Sequence, residues 1–480
     1  MVNQIKIVTN TAFSNDIADE IRAFCFAVKE YKGEGEYQTF EVNLEEKEDI
    51  IVEVKTDFEK KISKVFNYKK EDYKSEIDKK SHLKFCVKIS AYKVLKSIFN
   101  RDLPYGSLTG IRPTKLYRKY DDLGFDAEKI MMDKYLVSKE KAGLIKSIVE
   151  VQKPILNRSE NEVDFFVNIP FCPSRCSYCS FVSTDITKQK KYVKDYVKLV
   201  QNEIIAMKNV VLENNYKVRA VYVGGGTPSS LEVSDLEKII SLLDYNVEFT
   251  VEVGRPDTIT KELLDMLKNN GVNRISVNPQ TFNQKTLDLI GRKHSVEDIY
   301  KAYELSRSYD FLINMDLIAL LPNETYEDFC NTLEKTVMLK PDNITVHTLA
   351  LKKGSRLTEE NYENNQSELA KKMVDRSQAV LKENGYFPYY TYRQKNMGGN
   401  LENTGYTNKK DFSCVYNIDI MEENTSILAC GAGAISKRIY SGDRLERFAN
   451  MKNAKEYIER FDENLKKQLE FWDKNNYNNK

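Results

Sequence analysis

Three cysteines stand close together in one segment, and their types and spacing suit metal binding. Cys172, Cys176 and Cys179 lie in the run FFVNIPFCPSRCSYCSF. Iron–sulfur clusters are held by cysteine thiolates, and metal binding ionises thiols whose free pKa is about 8.5. Three ligands for four irons leave one iron open to a further ligand. The spacing therefore predicts a [4Fe-4S] cluster with one open coordination position.

Zinc and three unrelated buried thiols are the alternatives at this loop. A structural zinc site normally has four ligands, and no fourth Cys or His is near the loop in sequence, since the histidines are His82, His294 and His347. The other cysteines are scattered as small buried hydrophobes are, and do not form a disulfide framework. They are Cys25, Cys86, Cys330, Cys414 and Cys430.

A glycine-rich turn follows the next apolar run, AVYVGGGTPSSL. Gly225 and Gly226 permit a close backbone approach to a ligand, and Thr227 with Pro228 fixes the turn. A plain tight turn is the alternative. Further polar groups follow later apolar runs, the placement typical of an active-site mouth, although each alone could be a cap or a surface residue. They are Glu252, Gln280, Arg292, His294 and Asp316.

Six short apolar runs alternate with amphipathic helical patterns, and these elements would position the polar groups. The runs are DFFVNI, AVYV, VEFTVEV, RISVN, INMDLIAL and ITVHTLAL. Continuous apolar strands are buried on both faces, as in a parallel α/β barrel or partial barrel. We place this core barrel at residues 163–365. A small α/β and helical region of unknown role precedes it at 1–152, and a mostly helical extension that completes the substrate site follows at 366–480.

Composition excludes several function classes. Lys and Arg number 73 against 72 Asp and Glu, so the chain has no strong basic field to attract nucleic acid. It has no apolar run of about 18 residues that could span a membrane, and its N-terminus, MVNQIKIVTN, has no apolar signal-peptide region. We expect a cytoplasmic monomer without a nucleic-acid partner or a membrane span.

The cysteine spacing resembles that of the radical-SAM superfamily over about residues 163–440. This resemblance implies a partial (β/α)6 barrel in which the open iron chelates S-adenosylmethionine. Within the superfamily, the chain resembles the oxygen-independent coproporphyrinogen III oxidase group, and most closely its Z-type coproporphyrinogen dehydrogenase branch. The segments that carry this resemblance are LTGIRPTKL, TVHTLALKKGSRL, YYTYRQKNMGGNLENTGY, YNIDIMEE and GAGAIS.

The resemblance implies two sets of cofactor contacts, so that one or two S-adenosylmethionine molecules bind per chain. The first set is Phe166, Gly225, Glu252, Ala350 and Ile435. The second set is Tyr178, Gly226, Thr227, Gln280, Arg292 and Asp316. The chain departs from the best-known oxidase type at three places. Phe166 stands where that type has a tyrosine, and Ser180 and Phe181 follow Cys179 where that type has a further cysteine. The Gly-Leu-Pro turn of that type reads Leu320, Leu321, Pro322 here.

The implied activity is oxidative decarboxylation of two coproporphyrinogen III propionates to vinyl groups, giving protoporphyrinogen IX in anaerobic porphyrin and haem biosynthesis. An electron donor such as a flavodoxin or ferredoxin would serve it. Candidates for contacts with the porphyrinogen carboxylates are Lys352, Lys353, Arg356, Arg393 and Lys395. The alternative is a haem-binding chaperone of the same superfamily, with Cys or His as the haem ligand.

Overall fold

The computed structural model describes residues 4–25, 29–110, 112–156, 161–352, 354–360, 362, 366–394, 397–440 and 444–473. The chain divides into two compact units. The first comprises Met1–Lys146, Glu363–Lys371 and Tyr392–Glu402, and the second comprises Ser147–Tyr362, Lys372–Thr391 and Asn403–Lys480. Lys353 and Lys395, two of the candidates for carboxylate contacts, lie outside the described residues.

The first unit contains a five-stranded sheet in the order β2-β1-β3-β4-β5. Its strands are β1 (Gln4–Thr9), β2 (Lys29–Glu30), β3 (Gln38–Glu46), β4 (Ile50–Thr56) and β5 (Ile62–Tyr68). The strand β1 is parallel to both of its neighbours, and the later pairs are antiparallel. Helices α1 (Ser14–Phe24) and α2 (Glu76–Phe99) share a buried apolar cluster with the sheet. The predicted N-terminal α/β domain is confirmed.

The second unit is built on a parallel sheet, and each of the six predicted apolar runs overlaps one of its strands. These strands are β6 (Glu162–Ile169), β9 (Lys217–Gly225), β10 (Glu248–Glu252), β11 (Arg274–Ser276), β12 (Leu312–Ala319) and β13 (Asn343–Thr348). They pair in chain order, all parallel. Two-residue strands β7 (Phe171–Cys172) and β8 (Thr184–Asp185) pair separately. The predicted partial barrel is confirmed.

Helices connect these strands and flank both units. After α2 they are α3 (Pro113–Asp122), α4 (Ala127–Asp133), α5 (Lys139–Gln152), α6 (Ile186–Glu213), α7 (Val233–Ile240), α8 (Lys261–Asn269), α9 (Gln284–Leu289), α10 (Val296–Arg307), α11 (Tyr326–Leu339), α12 (Arg356–Glu359), α13 (Ser367–Glu383), α14 (Val415–Glu422), α15 (Ala454–Glu459) and α16 (Phe461–Trp472). Among the described residues, no helix has the length and apolarity needed to cross a membrane.

The C-terminal extension also carries strands that the sequence analysis did not predict. They are β14 (Phe387–Tyr392), β15 (Asn403–Thr407), β16 (Ser426–Cys430), β17 (Ile435–Ile439) and β18 (Leu445–Ala449). The strand β16 pairs parallel with β6 and extends the parallel row, while β15 pairs antiparallel with β13 at the other end. The glycine-containing turn after β16 therefore reaches the same edge of the sheet as the cysteine loop.

Candidate functional site

The cysteine loop leaves the carboxyl end of β6 and is closed by the short β7–β8 pair. Cys172 pairs with Asp185 across these two strands, and the Thr184 N–H donates to the Pro170 carbonyl at 2.9 Å. Cys172, Cys176 and Cys179 are all partly exposed within this closed segment. The loop therefore has a fixed base.

The glycine-rich turn after β9 is joined to the cysteine loop by main-chain hydrogen bonds. Gly226 N–H donates to the Ile169 carbonyl and Thr227 N–H to the Phe171 carbonyl, both at 2.7 Å. The Thr227 hydroxyl also donates to Cys172 Sγ at 3.6 Å. A side chain cannot fit here, because a Cβ on Gly226 would stand 2.5 Å from the Phe171 oxygen. Glycine at position 226 thus allows the turn after β9 to pack directly against the cysteine loop.

The loop offers three thiols, the donor type that holds an iron–sulfur cluster. Among the described residues, no three Cys, His, Asp or Glu side chains converge as the ligands of one metal ion do. Burial raises the pKa of Cys179 to about 11. Burial also raises the pKa of Cys172, although hydrogen bonds from Ser183 and Thr227 act in the other direction.

The far side of the cysteine loop is held by the segments that follow β10 and α9. Ser177 N–H donates to the Ile290 carbonyl at 3.0 Å, and the Ser174 hydroxyl donates to the Gly291 carbonyl at 3.2 Å. Arg255 holds Asp257 through two 3.0 Å hydrogen bonds and also donates to Ser174 Oγ at 3.1 Å. One segment after a strand and one after a helix therefore fix the loop.

Arg292 connects the cysteine loop to two strand ends. Its Nη1 donates to the Tyr178 hydroxyl at 3.2 Å, and its Nη2 donates to the carbonyls of Gly254 and Asn278, each at 2.7 Å. The side chain is buried, and its Nε has no hydrogen-bond partner among the described residues. The two terminal nitrogens of the guanidinium thus position Tyr178 and the backbone, and the Nε–H is without a partner among the described residues.

Asn278 links the ends of β11 and β12. Its Oδ1 accepts the Asp316 N–H at 3.1 Å, and the Gln280 N–H donates to the Asp316 carbonyl at 2.9 Å. Gln280 adopts a φ of +65°, an uncommon conformation for a side-chain-bearing residue. Burial would raise the pKa of Asp316, but the hydrogen bond and charge of His347 and a hydrogen bond from Asn314 outweigh it, so that pKa is lowered.

Glu252 at the end of β10 lies beside an aromatic stack. The Tyr222 hydroxyl donates to Glu252 Oε1 at 2.5 Å. Tyr222 stacks on Tyr416 with ring centroids 4.4 Å apart, and Phe166 stacks on Tyr416 at 5.9 Å. Burial, with a contribution from the Asp316 charge, raises the pKa of Glu252 to about 7, although the Tyr222 hydrogen bond lowers it. The site therefore contains a carboxyl that is only partly ionised at neutral pH.

Hydrogen bonds and ring contacts link members of each predicted contact set. In the first set, Phe166 and Glu252 are joined through Tyr222 and Tyr416, as described above, and the Gly225 backbone is hydrogen-bonded to Glu252. Ala350 follows β13, and Ile435 begins β17. In the second set, Gly226 and Thr227 contact the cysteine loop, which contains Tyr178, and Arg292 and Asn278 link that loop to Gln280 and Asp316.

The candidates for carboxylate contacts differ in their surroundings. Lys352 is partly buried and lies close enough to Cys179 to interact with its charge. Arg356 is exposed in α12. Arg393 is enclosed in the first unit, where it donates to the carbonyls of Leu108, Asn400 and Leu401 and covers the Tyr105 ring. A guanidinium bonded in this way is structural, so Arg393 is a poor candidate.

The sequence analysis missed several residues that hold the site together. They are Asn168, Tyr222, Arg255, Asn278 and Tyr416. Three of them gave a usable signal, since each is a polar group near the carboxyl end of an otherwise apolar strand: Asn168 in FFVNI, Tyr222 in AVYV and Asn278 in RISVN. Tyr416 belongs to a helix far away in sequence, and nothing in its own segment indicates the contact.

Comparison with known proteins identifies relatives of this chain. The model of the radical SAM superfamily matches residues 167–336. The oxygen-independent coproporphyrinogen-III oxidase-like protein HemZ of Bacillus subtilis (strain 168) is 41% identical over 375 residues, which cover 75% of each chain. The heme chaperone HemW of the same strain is 31% identical over 192 residues, covering 38% of this chain and 49% of that protein.

A solved structure shows the same fold. Coproporphyrinogen III oxidase (HemN) from Escherichia coli, which is a radical SAM enzyme, matches with a TM-score of 0.50 at 24% identity. The match covers 66% of this chain and 72% of that chain. At this identity the likeness concerns the fold alone.

The cysteine loop yields a direct prediction. Cys176→Ala should abolish assembly of the iron–sulfur cluster, because two remaining thiolates would leave two irons without a protein ligand. Iron and sulfide analysis after anoxic reconstitution measures this, with Cys330→Ser in α11 as the matched control that keeps its iron. Wild-type iron and sulfide in the Cys176 variant would contradict the assignment.

The buried carboxyl yields a prediction of pH dependence. Because the pKa of Glu252 rises from 4.5 to about 7 on folding, the unfolded chain ionises first, and this group makes stability fall as pH increases through that window. The loss approaches about 3 kcal/mol above neutral pH. Glu252→Gln cannot ionise, so it should gain stability relative to wild type between about pH 5 and about pH 8. A stability difference that stays constant across this range in chemical unfolding would refute the assignment.

Proposed function

Because this chain belongs to the radical-SAM superfamily, and within it to the family of oxygen-independent coproporphyrinogen-III oxidase-like proteins, we propose that it decarboxylates coproporphyrinogen III. Two propionates would become vinyl groups, giving protoporphyrinogen IX. The observation that carries the proposal is the cysteine loop, which is hydrogen-bonded to the glycine-rich turn after β9 and to the buried Arg292. It rests also on the 41% identity to HemZ.

The residues of this chain would bind and orient the reacting groups. Cys172, Cys176 and Cys179 would hold a [4Fe-4S] cluster, which supplies the electron that cleaves S-adenosylmethionine to a 5′-deoxyadenosyl radical. Removal of one hydrogen atom from a propionate would then allow loss of CO2 and transfer of one electron to a one-electron acceptor, leaving a vinyl group. Glu252 and its neighbouring glycines offer polar contacts to one cofactor molecule. The buried Nε of Arg292, which has no hydrogen-bond partner among the described residues, would offer a contact to a second.

Lys352 suits the substrate best among the candidate cations. Its position near Cys179 would place a substrate carboxylate beside the cluster, and its partial burial would strengthen an ion pair relative to one in water. A propionate carboxylate held there keeps its neighbouring methylene within reach of the cofactor. Arg356 is too exposed to offer the same stabilisation.

The test is an anoxic assay of the reconstituted protein with coproporphyrinogen III, S-adenosylmethionine and a chemical reductant. We expect 5′-deoxyadenosine and a product lighter by two CO2 and four hydrogen atoms, identified by mass after oxidation to the porphyrin. The rival function is haem delivery, which the HemW relatives carry in their name. Stoichiometric haem binding without any conversion of coproporphyrinogen would favour that rival and overturn the proposal.

The role of Lys352 makes a separate prediction. Lys352→Met removes the charge and keeps the length of the side chain, so kcat/KM for coproporphyrinogen should fall by about 10- to 100-fold, the size expected for one charged contact. Slow 5′-deoxyadenosine formation without substrate should persist. Arg356→Met, in the same segment, is the control and should stay near wild type. Equal kcat/KM values for the two variants would remove Lys352 from the substrate site.

A further inference from the structure

An exposed apolar and basic patch lies directly beside the cysteine loop. We call it the cluster-edge patch, and its members are Phe181, Val182, Lys188, Lys191 and Lys293, all exposed. Phe181 and Val182 follow Cys179 by two and three residues and are 67% and 52% exposed. Large apolar side chains this exposed, rimmed by charge, are typical of an interaction surface.

The lysines of the patch are near the cysteine loop in space as well. Asp185 pairs with Cys172 across two strands, and paired strands lie about 4.8 Å apart. Lys188 is three residues further on, in the first turn of α6, which rises about 1.5 Å per residue. Lys293 is two residues after Gly291, whose carbonyl accepts from the Ser174 hydroxyl of the cysteine loop at 3.2 Å. Both lysines are therefore close to the cysteine loop.

The basic side of α6 points away from the barrel. Val193, Tyr196 and Val197 are buried against the core, whereas Lys188 and Lys191 are exposed. Residues 186–198 contain five lysines against one acid, Asp195, in a chain whose net charge is only +1. The positive field is therefore local, and it lies on the outer surface next to the cysteines.

We propose that the cluster-edge patch docks an acidic one-electron carrier protein that reduces the cluster. This inference rests on the proposed function only in requiring that the three cysteines hold a redox cluster. Electron-transfer complexes are small, and opposite charges steer their encounter. A protein partner fits better than coproporphyrinogen, although both are anionic. The lysines of the patch are exposed, whereas the proposed contact for the substrate carboxylate, Lys352, is partly buried.

The test is stopped-flow reduction of the reconstituted protein by an acidic reduced ferredoxin, followed as bleaching of the cluster absorbance. The charge reversal Lys188→Glu with Lys191→Glu should slow this reduction by about tenfold or more at low ionic strength, and salt should reduce the difference. The matched control is Lys301→Glu with Lys466→Glu, two exposed lysines of the same unit, which should reduce at the wild-type rate. Dithionite should reduce all three proteins equally.

Equal ferredoxin rates in the patch and control variants would overturn the proposal. So would a patch variant that reduces normally with ferredoxin but has a raised KM for coproporphyrinogen when dithionite supplies the electrons, because the lysines would then serve the substrate. Cluster reduction needs no porphyrinogen, so a failure of docking can be distinguished from a failure of the proposed decarboxylation.

Discussion

The close approach of the glycine turn to the cysteine loop is the contact on which the site depends. Gly226 and Thr227 donate to the carbonyls of Ile169 and Phe171, so the ends of β6 and β9 are fixed to each other by their backbones. A Cβ on Gly225 would stand 2.1 Å from Asn168 Oδ1. Asn168 in turn donates to the Ala432 carbonyl. One side chain thus joins the turns that follow β6, β9 and β16.

Buried charged side chains also fix the loops around this contact, because each of them has specific hydrogen-bond partners. Burying a guanidinium is costly unless its donors are satisfied, and Arg255 and Arg292 meet this condition largely with backbone carbonyls and one carboxylate. Glu203 does the same beneath β16, where it accepts from Gly431 N–H, Asn450 and the Tyr457 hydroxyl. The loops that carry the polar groups are therefore held by networks that leave few alternative arrangements.

The sequence predicted the barrel and the cysteine loop because both leave local signals. Strands buried on both faces are continuous apolar runs, and three cysteines within eight residues are conspicuous. The strand β16 was not predicted, although SILACGAGA has the same apolar-run-then-glycine form as AVYVGGG. The partners of Arg292 could not be predicted at all. Its Nη2 donates to the backbone carbonyls of Gly254 and Asn278. Every residue has a backbone carbonyl, so the residue type of the partner does not indicate such a contact.

The proposed function requires that three cysteines hold a four-iron cluster with one iron open to S-adenosylmethionine. Mössbauer spectroscopy of protein reconstituted with iron-57 measures this, because the spectrum distinguishes iron sites by their ligands. We expect a [4Fe-4S] spectrum in which addition of S-adenosylmethionine shifts one iron in four and leaves the other three unchanged. A spectrum that S-adenosylmethionine does not alter, or one without a four-iron cluster, would refute this cofactor assignment.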